Sequence, residues 1–164
     1  MDSDENIGVL ASVLHADGGL ADSLMTELPA SNRNPRITKE MLDEGGHYPI
    51  MNGSAVFKLA LRKLPEAANE TLAKAGLTMD DVDLVIPHQA NLRINQAFQK
   101  TFNLAEDRVF HNIQRYGNTT AASIPIALDE AIEQGRIDTA NSTVLFVALG
   151  AGLTWGGALY RFGK

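Results

Sequence analysis

The chain has 164 residues, and its 14 Lys and Arg against 20 Asp and Glu give a formal net charge of −6 at pH 7. Its composition, 45% hydrophobic and 21% charged, is that of one folded globular domain and excludes general disorder. The chain contains no cysteine, which excludes disulfides, thiolate zinc sites and a thiol nucleophile within it.

Charge and hydropathy patterns narrow the class of protein further. The acidic balance argues against broad nucleic-acid binding, and no apolar run approaches the length of about 18–20 residues that spans a bilayer. Residues 1–5 are mostly acidic, whereas a secretory signal is basic and then apolar. The sequence therefore predicts a cytoplasmic protein with neither nucleic acid nor a membrane as a partner.

The first 50 residues predict one strand and a long irregular connection. Residues 9–14 are apolar and partly β-branched, and they stop at the turn signal of residues 17–19, as a strand does. Residues 29–50 contain three prolines, two adjacent glycines and mixed charges, a composition that favours a loop. Because a loop of this length is unusual in a compact domain, we expect it to be functional.

Helices and strands alternate in the middle of the chain. Residues 54–75 repeat apolar side chains at helical spacing, with Gly76 placed where a helix ends and Pro65 predicted to kink or restart it. A short buried strand over residues 84–86 leads into a second helix, whose apolar face runs from Ile94 to Phe102.

The C-terminal part predicts one further strand, a helix and a two-stranded hairpin. Residues 108–113 alternate weakly as a strand, and residues 124–132 form an apolar helical face that ends at Gly135. The apolar run 144–149 is separated by three small residues from a second run, 153–162. Strands joined by helical crossovers predict an α/β fold with a mixed, mostly parallel sheet, to which the C-terminal hairpin adds an antiparallel strand.

Polar or small residues follow three of the predicted strands. They lie in residues 87–91, 117–120 and 150–152. In α/β sheets, reactive groups gather beyond the carboxyl ends of the strands, where helix N-termini also point. The imidazole of His88, the carboxamide of Asn118 and the backbone N–H groups of residues 150–152 together suit an anion or an enolate.

Each of these features also has a structural interpretation. A single histidine at a strand end is more often packed or solvated than catalytic, and by spacing alone Asn118 is better explained as a turn or helix-cap residue. Residues 150–152 could simply be the turn of a hairpin. The four histidines, at positions 15, 47, 88 and 111, lack the spacing of a metal site, so we expect no metal.

Basic residues cluster on the first two predicted helices despite the acidic balance. They are Lys58, Arg62, Lys63, Arg93 and Lys100. A solvated helix face is the simpler explanation. The functional alternative is a docking patch for an acidic partner, in which such charges steer encounter and fix orientation.

Four segments in the same order resemble β-ketoacyl-acyl-carrier-protein synthase III, a family with a two-part thiolase-like architecture. They are residues 52–58, 85–94, 115–123 and 150–156. The resemblance covers essentially the whole chain but only the C-terminal half of the family's architecture. It implies that residues 1–50 are the tail of a missing N-terminal half and that residues 51–164 are the C-terminal ketosynthase domain.

The resemblance implies a decarboxylative Claisen condensation that starts fatty acid biosynthesis and needs no cofactor. An acyl group from acyl-CoA is loaded on a cysteine and joined to malonyl on acyl carrier protein, which gives a 3-oxoacyl product. His88 and Asn118 match two members of the family's Cys-His-Asn triad. The cysteine belongs to the N-terminal half, so the isolated chain is predicted to be inactive.

Further roles follow from the resemblance alone. The backbone N–H of Ala151 would contribute to the acyl oxyanion hole, Gly53, Ser54 and Asn91 would lie along the pantetheine arm, and Lys58 and Arg93 would face the carrier protein. The complete enzyme is expected to be a homodimer. Ala151 stands where the family commonly has glycine and Leu149 where phenylalanine is frequent, which leaves the primer acyl group open.

Two other functions stay open at this point. The chain could be a non-catalytic half that binds pantetheine or acyl thioesters and partners a cysteine-bearing chain. It could also belong to a specialised condensing enzyme that makes secondary metabolites. Half of a paired architecture should also expose an apolar face, which favours self-association.

Overall fold

A mixed four-stranded sheet forms the centre of the computed structural model, which describes residues 7–163. Its strands, in spatial order, are β1 (Gly8–Ala16), β6 (Thr154–Arg161), β5 (Thr143–Gly150) and β4 (Leu84–Pro87). The α/β class, the mixed sheet and the C-terminal hairpin are confirmed. Parallel pairing is less extensive than expected, since among the strands of residues 7–163 only β4 and β5 pair in parallel. The hairpin strand β6 lies between β5 and β1 and is antiparallel to both.

The strand expected over residues 108–113 is wrong. Val109 makes one isolated parallel bridge to Val85, and the Phe110 N–H donates to the Val85 carbonyl at 2.9 Å. The side chain of Gln89 then occupies the next backbone groups, since its Nε2 donates to the Phe110 carbonyl and its Oε1 accepts from the Asn112 N–H, both at 3.2 Å. The chain continues as the short helix α4 (Ile113–Tyr116) instead of extending the sheet.

The longest helix, α2 (Gly53–Ala75), continues through Pro65, so the predicted restart of the helix there is wrong. Pro65 is one of the buried residues of this helix. The helix begins at Asn52, whose side chain accepts from the Ala55 N–H at 3.1 Å, and it ends at Gly76, which has a left-handed φ of 67°.

The remaining elements are shorter. Helix α3 spans Leu92–Thr101 and α5 spans Ser123–Glu133, with Pro125 in its first turn, where proline is tolerated. The long connection is less irregular than predicted, because it contains α1 (Lys39–Asp43) and β3 (Pro49–Met51), which pairs with β2 (Leu24–Thr26) in a separate antiparallel ribbon. No helix within residues 7–163 is both long and apolar enough to cross a bilayer.

Helices cover both faces of the sheet. One buried cluster joins α2 and α3 to the strands, and its members include Ala60, Leu64, Ala68, Leu72, Val85, Phe98, Leu145 and Leu159. A second cluster joins α5 to the opposite face, and its members include Leu84, Ile86, Phe110, Ala127, Ala131 and Val144. Successive residues of β4 therefore point into different clusters, as the alternation of a strand requires.

The edge strand and the β2–β3 ribbon leave large apolar side chains in solvent. The most exposed of them are Val9, Leu14, Tyr48, Ile50 and Met51. Strand β1 pairs along its length with β6, so residues 8–16 share a sheet with the C-terminal hairpin. The domain boundary after residue 50 and the self-association of the chain stay predictions.

Candidate active site at the carboxyl ends of β4 and β5

His88 directly follows the carboxyl end of β4, where it is held by backbone and side-chain hydrogen bonds. Its N–H donates to the Val147 carbonyl of β5 at 2.8 Å, which continues the parallel ladder by one bond. Its ring Nδ1 lies 2.6 Å from the Oγ of Ser123, the first residue of α5. The imidazole therefore sits where two parallel strands end and a helix begins.

The half-buried position of His88 governs its protonation. Burial lowers the pKa of His88 because an imidazolium loses solvation there. Burial therefore favours the neutral ring, in which one nitrogen carries a proton and the other accepts. A neutral imidazole can donate one hydrogen bond to a developing oxyanion.

Asn118 lies in an exposed turn that leads into the N-terminus of α5. Gly117 before it has a φ of 68°, and the Asn118 Oδ1 accepts from the Thr120 N–H at 2.8 Å. This bond is the turn interaction that the spacing of residues suggests. It also assigns the two carboxamide atoms, because a backbone N–H can only donate and therefore meets Oδ1, which leaves Nδ2 as a donor.

A buried carboxylate anchors the segment that carries Asn118. Glu130 of α5 accepts from the Asn112 Nδ2 at 2.8 Å and from the Tyr116 hydroxyl at 2.6 Å, and it pairs with Arg115 at 2.8 Å. The hydrogen bond from Tyr116, followed by that from Asn112, lowers the pKa of Glu130. Residues 112–116 are thus tied to α5 immediately before the turn of Asn118.

Three residues of this site are absent from the sequence-based prediction. Gln89, Ser123 and Glu130 are all buried and polar. Glu130 does leave a signal, because it stands beside Ala127 and Ala131 on the apolar face of its helix, where a carboxylate needs partners. For Gln89 and Ser123 the only signal is a polar residue at the end or start of an apolar element.

Ala151 lies in the turn between β5 and β6. The register that pairs Pro87 with Val147 brings the ends of β4 and β5 to one edge of the sheet, so Ala151 follows β5 on the side where His88 follows β4. Its carbonyl accepts from the Thr154 hydroxyl at 3.2 Å. The turn needs glycine at the next position, because Gly152 has a φ of 132° and a Cβ there would meet Thr154 Cγ2 at 2.9 Å.

No hydrogen bond joins His88, Asn118 and Ala151 to one another within residues 7–163. They are instead connected through shared elements. Ser123 contacts His88 and begins the helix that the Asn118 turn enters, and Val147 links His88 to the strand that leads to Ala151. This arrangement is consistent with one site but leaves the roles of the three residues as predictions.

The other predicted residues lie at the N-termini of α2 and α3. Gly53 and Ser54 form the first turn of α2, and Asn91 caps α3 by accepting from the Arg93 N–H at 2.9 Å. All three are exposed.

Lys58 and Arg93 are also exposed. The Arg93 guanidinium lies over the ring of Phe57, 5.8 Å from its centroid, and Lys58 is the next residue of α2. This contact places Arg93 of α3 against α2, one residue along the chain from Lys58. Within residues 7–163, no three His, Asp or Glu side chains converge as metal ligands.

The sequence matches the family described as 3-oxoacyl-[acyl-carrier-protein (ACP)] synthase III C terminal over residues 72–162, which is more than half of the chain. It is 49% identical over 160 residues to the beta-ketoacyl-[acyl-carrier-protein] synthase III of Roseiflexus castenholzii, covering 98% of this chain and 48% of that protein. The chain therefore spans about half the length of the curated relatives it matches.

Solved structures agree with this match. The 3-oxoacyl-[acyl-carrier-protein] synthase III of Aquifex aeolicus superposes with a TM-score of 0.82 at 41% identity, over 99% of this chain and 47% of that one. The synthase III of Thermus thermophilus gives a TM-score of 0.85 at 42% identity, over 97% and 47%. The resemblance read from the sequence is confirmed: the chain belongs to the 3-oxoacyl-[acyl-carrier-protein] synthase III family, and it matches the C-terminal half of that thiolase-like fold.

Proposed function

We propose that this chain supplies the decarboxylating half of a 3-oxoacyl-acyl-carrier-protein synthase III. The complete enzyme condenses an acyl group from acyl-CoA with malonyl on acyl carrier protein and so starts fatty acid biosynthesis. Its nucleophilic cysteine comes from outside this chain, which has none. The observation that carries the proposal is that a half-buried imidazole, whose pKa is lowered by burial, and a carboxamide with its oxygen already engaged both adjoin the N-terminus of α5.

The chemistry requires hydrogen-bond donors at one oxygen. When the malonyl thioester loses carbon dioxide, the electrons of the broken carbon–carbon bond form an enolate, and negative charge develops on the thioester oxygen. Preorganised donors stabilise such charge better than water does. His88 and Asn118 are the donors in this proposal.

The condensation then follows from the enolate. Its carbon attacks the carbonyl of the acyl thioester on the cysteine, a carbon–carbon bond forms, and the cysteine leaves as a thiolate. The backbone N–H of Ala151 helps to stabilise the oxyanion of that step. The product is a 3-oxoacyl group on the carrier protein, and the reaction needs no cofactor.

Substrate delivery is assigned to the surface beside α2 and α3. In the proposal, Gly53, Ser54 and Asn91 lie along the pantetheine arm, and Lys58 and Arg93 face the acidic carrier protein. The exposure of all five residues and the contact of Arg93 with Phe57 support this assignment. A homodimeric, cytoplasmic enzyme belongs to the same proposal.

The test is malonyl decarboxylation by the complete enzyme that contains this chain. We expect His88→Ala and Asn118→Ala each to lower the rate of carbon dioxide release by about 10²–10³-fold, as the removal of one oxyanion donor does. Acyl transfer from acyl-CoA to the cysteine, followed by mass spectrometry, should survive in both variants.

Matched controls separate the site from general damage. His15→Ala and Asn69→Ala remove the same side-chain types from the α2 and β1 side of the molecule, and both should keep the wild-type rate. Full decarboxylation by the His88 and Asn118 variants would refute the assignment. A complete protein that binds CoA thioesters but neither decarboxylates nor forms an acyl-enzyme would favour the non-catalytic binding half.

A further inference from the structure

We propose that Ser123 is a positioning residue that fixes His88 in the neutral tautomer with its proton on Nε2. The tautomer itself follows from hydrogen bonds within this chain. Its catalytic consequence rests on the proposed function, in which the Nε2 proton meets the enolate oxygen.

The hydroxyl of Ser123 takes part in two hydrogen bonds. Ser123 Oγ lies 2.6 Å from the Nδ1 of His88, and it accepts from the Gln89 N–H at 3.2 Å. Ser123 is 2% exposed, so water cannot replace these two hydrogen-bond partners. Within residues 7–163 the hydroxyl has no other hydrogen-bond partner.

Counting protons then assigns the donor. A hydroxyl carries one proton and two lone pairs, whereas a backbone N–H can only donate. The Gln89 N–H therefore uses a lone pair of Ser123 Oγ, and the hydroxyl proton is left to point at His88 Nδ1. Since Nδ1 accepts, the single proton of the neutral ring is on Nε2.

The opposite tautomer is disfavoured by the same count. A proton on Nδ1 would turn Ser123 Oγ into an acceptor of two hydrogen bonds and leave its own proton buried without an acceptor. Buried polar groups in folded proteins are almost always paired. The Nδ1–H form would also present the lone pair of Nε2, instead of a donor, to an approaching oxyanion.

The backbone beneath the ring is held as firmly as the ring. The His88 N–H donates to Val147, and the side chain of Gln89 donates to the carbonyls of Pro87 at 2.7 Å and Phe110 at 3.2 Å. These bonds fix the backbone of His88, and the contact of Nδ1 with Ser123 Oγ leaves Nε2 on the side of the ring that faces away from Ser123. The site is prepared to donate before substrate arrives.

The direct test is nuclear magnetic resonance of the full 164-residue chain labelled with ¹⁵N in histidine, at pH 8. Long-range ¹H–¹⁵N correlations distinguish the protonated from the unprotonated ring nitrogen. In the wild type we expect Nε2 of His88 to be protonated. In Ser123→Ala the shifts of the two nitrogens should move toward each other, because the tautomers then interconvert without the bias.

Two further variants control this result. Ser123→Thr restores a hydroxyl and should restore the wild-type pattern. Ser142→Ala removes another buried serine hydroxyl, one that accepts from the Asp138 N–H at 2.9 Å, and should leave His88 unchanged. An Nδ1–H tautomer in the wild type, or an unchanged pattern in Ser123→Ala, would overturn the inference.

The kinetic consequence is measured in the complete enzyme. Ser123→Ala should lower kcat for malonyl decarboxylation by about tenfold with KM unchanged, less than the about 10²–10³-fold loss on removing the donor itself. An unchanged kcat beside an altered tautomer pattern would overturn the catalytic part of the proposal. If His88→Ala keeps full activity, the proposed function fails, while the resonance pattern still decides whether Ser123 sets the tautomer.

Discussion

Tyr116 donates a hydrogen bond of 2.6 Å to Glu130, and this bond ties the segment before Asn118 to the middle of α5. The same carboxylate accepts from Asn112, which is 5% exposed. Glu130 therefore holds both ends of α4. The position of the Asn118 turn depends on a residue twelve positions further along the chain.

We expect Glu130→Ala to lower the urea midpoint of unfolding, because it leaves the buried Asn112 amide without its acceptor. The control is Glu133→Ala, since Glu133 lies on the same helix but is exposed and should change the midpoint little. Equal midpoints for the two variants would show that the Glu130 network contributes nothing to stability.

The regular elements of the fold follow from local patterns. Gly76 marks the end of α2, and apolar runs mark β4 and β5. The strand over residues 108–113 was predicted wrongly because its backbone partners are taken by the side chain of Gln89, which is distant in sequence. Weak alternation of apolar residues carries no information about a side chain that takes these backbone hydrogen bonds.

The residues of the candidate site also divide into those that the sequence indicates and those that only the structure reveals. His88 stands out as a polar residue after a strand, whereas Asn118 follows a strand that was predicted wrongly, and the resemblance to the family gives both residues roles. Ser123 and Glu130 matter only through contacts across 35 and up to 18 residues, which the one-dimensional pattern does not record. Burial of a polar group is therefore the signal that the structure adds.

Gly152 provides a sharp test of the turn that carries Ala151. Gly152→Ala puts a methyl group at a φ of 132°, 2.9 Å from Thr154 Cγ2. We expect a loss of about 1–3 kcal/mol in the free energy of unfolding, the usual range for backbone strain of this kind. Acyl transfer by the complete enzyme should fall as well, because the Ala151 N–H is displaced.

The matched control for this change is Gly150→Ala, two residues away. A Cβ on Gly150 has Thr154 Oγ1 at 3.7 Å as its nearest neighbour, which is ordinary contact, and its φ lies outside the left-handed region. We expect a change within about 0.5 kcal/mol in unfolding. Similar losses in both variants would mean that any side chain in the turn is harmful, not that Gly152 has a special conformation.

Burial of two histidines predicts how stability depends on pH. Burial lowers the pKa of both His88 and His111. The unfolded chain then takes up protons at these residues before the folded chain does, so the stabilising contribution is complete above the ordinary histidine pKa of about 6.5 and is lost as the pH falls below it. The urea midpoint should therefore be lower at pH 5.5 than at pH 7.5.

Replacing each histidine in turn shows how much of the pH dependence of the urea midpoint that histidine causes. His88→Gln cannot be protonated, so the difference between the two midpoints should shrink relative to that of the wild type. His111→Gln should also make the difference between the two midpoints smaller. If both variants keep the full wild-type difference, groups other than these histidines cause the pH dependence.

The basic surface on α2 and α3 predicts a charge-dependent encounter with the carrier protein. Lys58→Glu and Arg93→Glu reverse exposed charges beside Phe57, so the complete enzyme should show a higher KM for malonyl-ACP, with the increase largest at low salt. Turnover with malonyl-CoA, which carries no protein surface, should change little. Lys74→Glu reverses an exposed charge near the C-terminal end of α2 and serves as the control. The same rise in KM for all three variants would point to net charge, whereas a rise confined to Lys58 and Arg93 assigns docking to this surface.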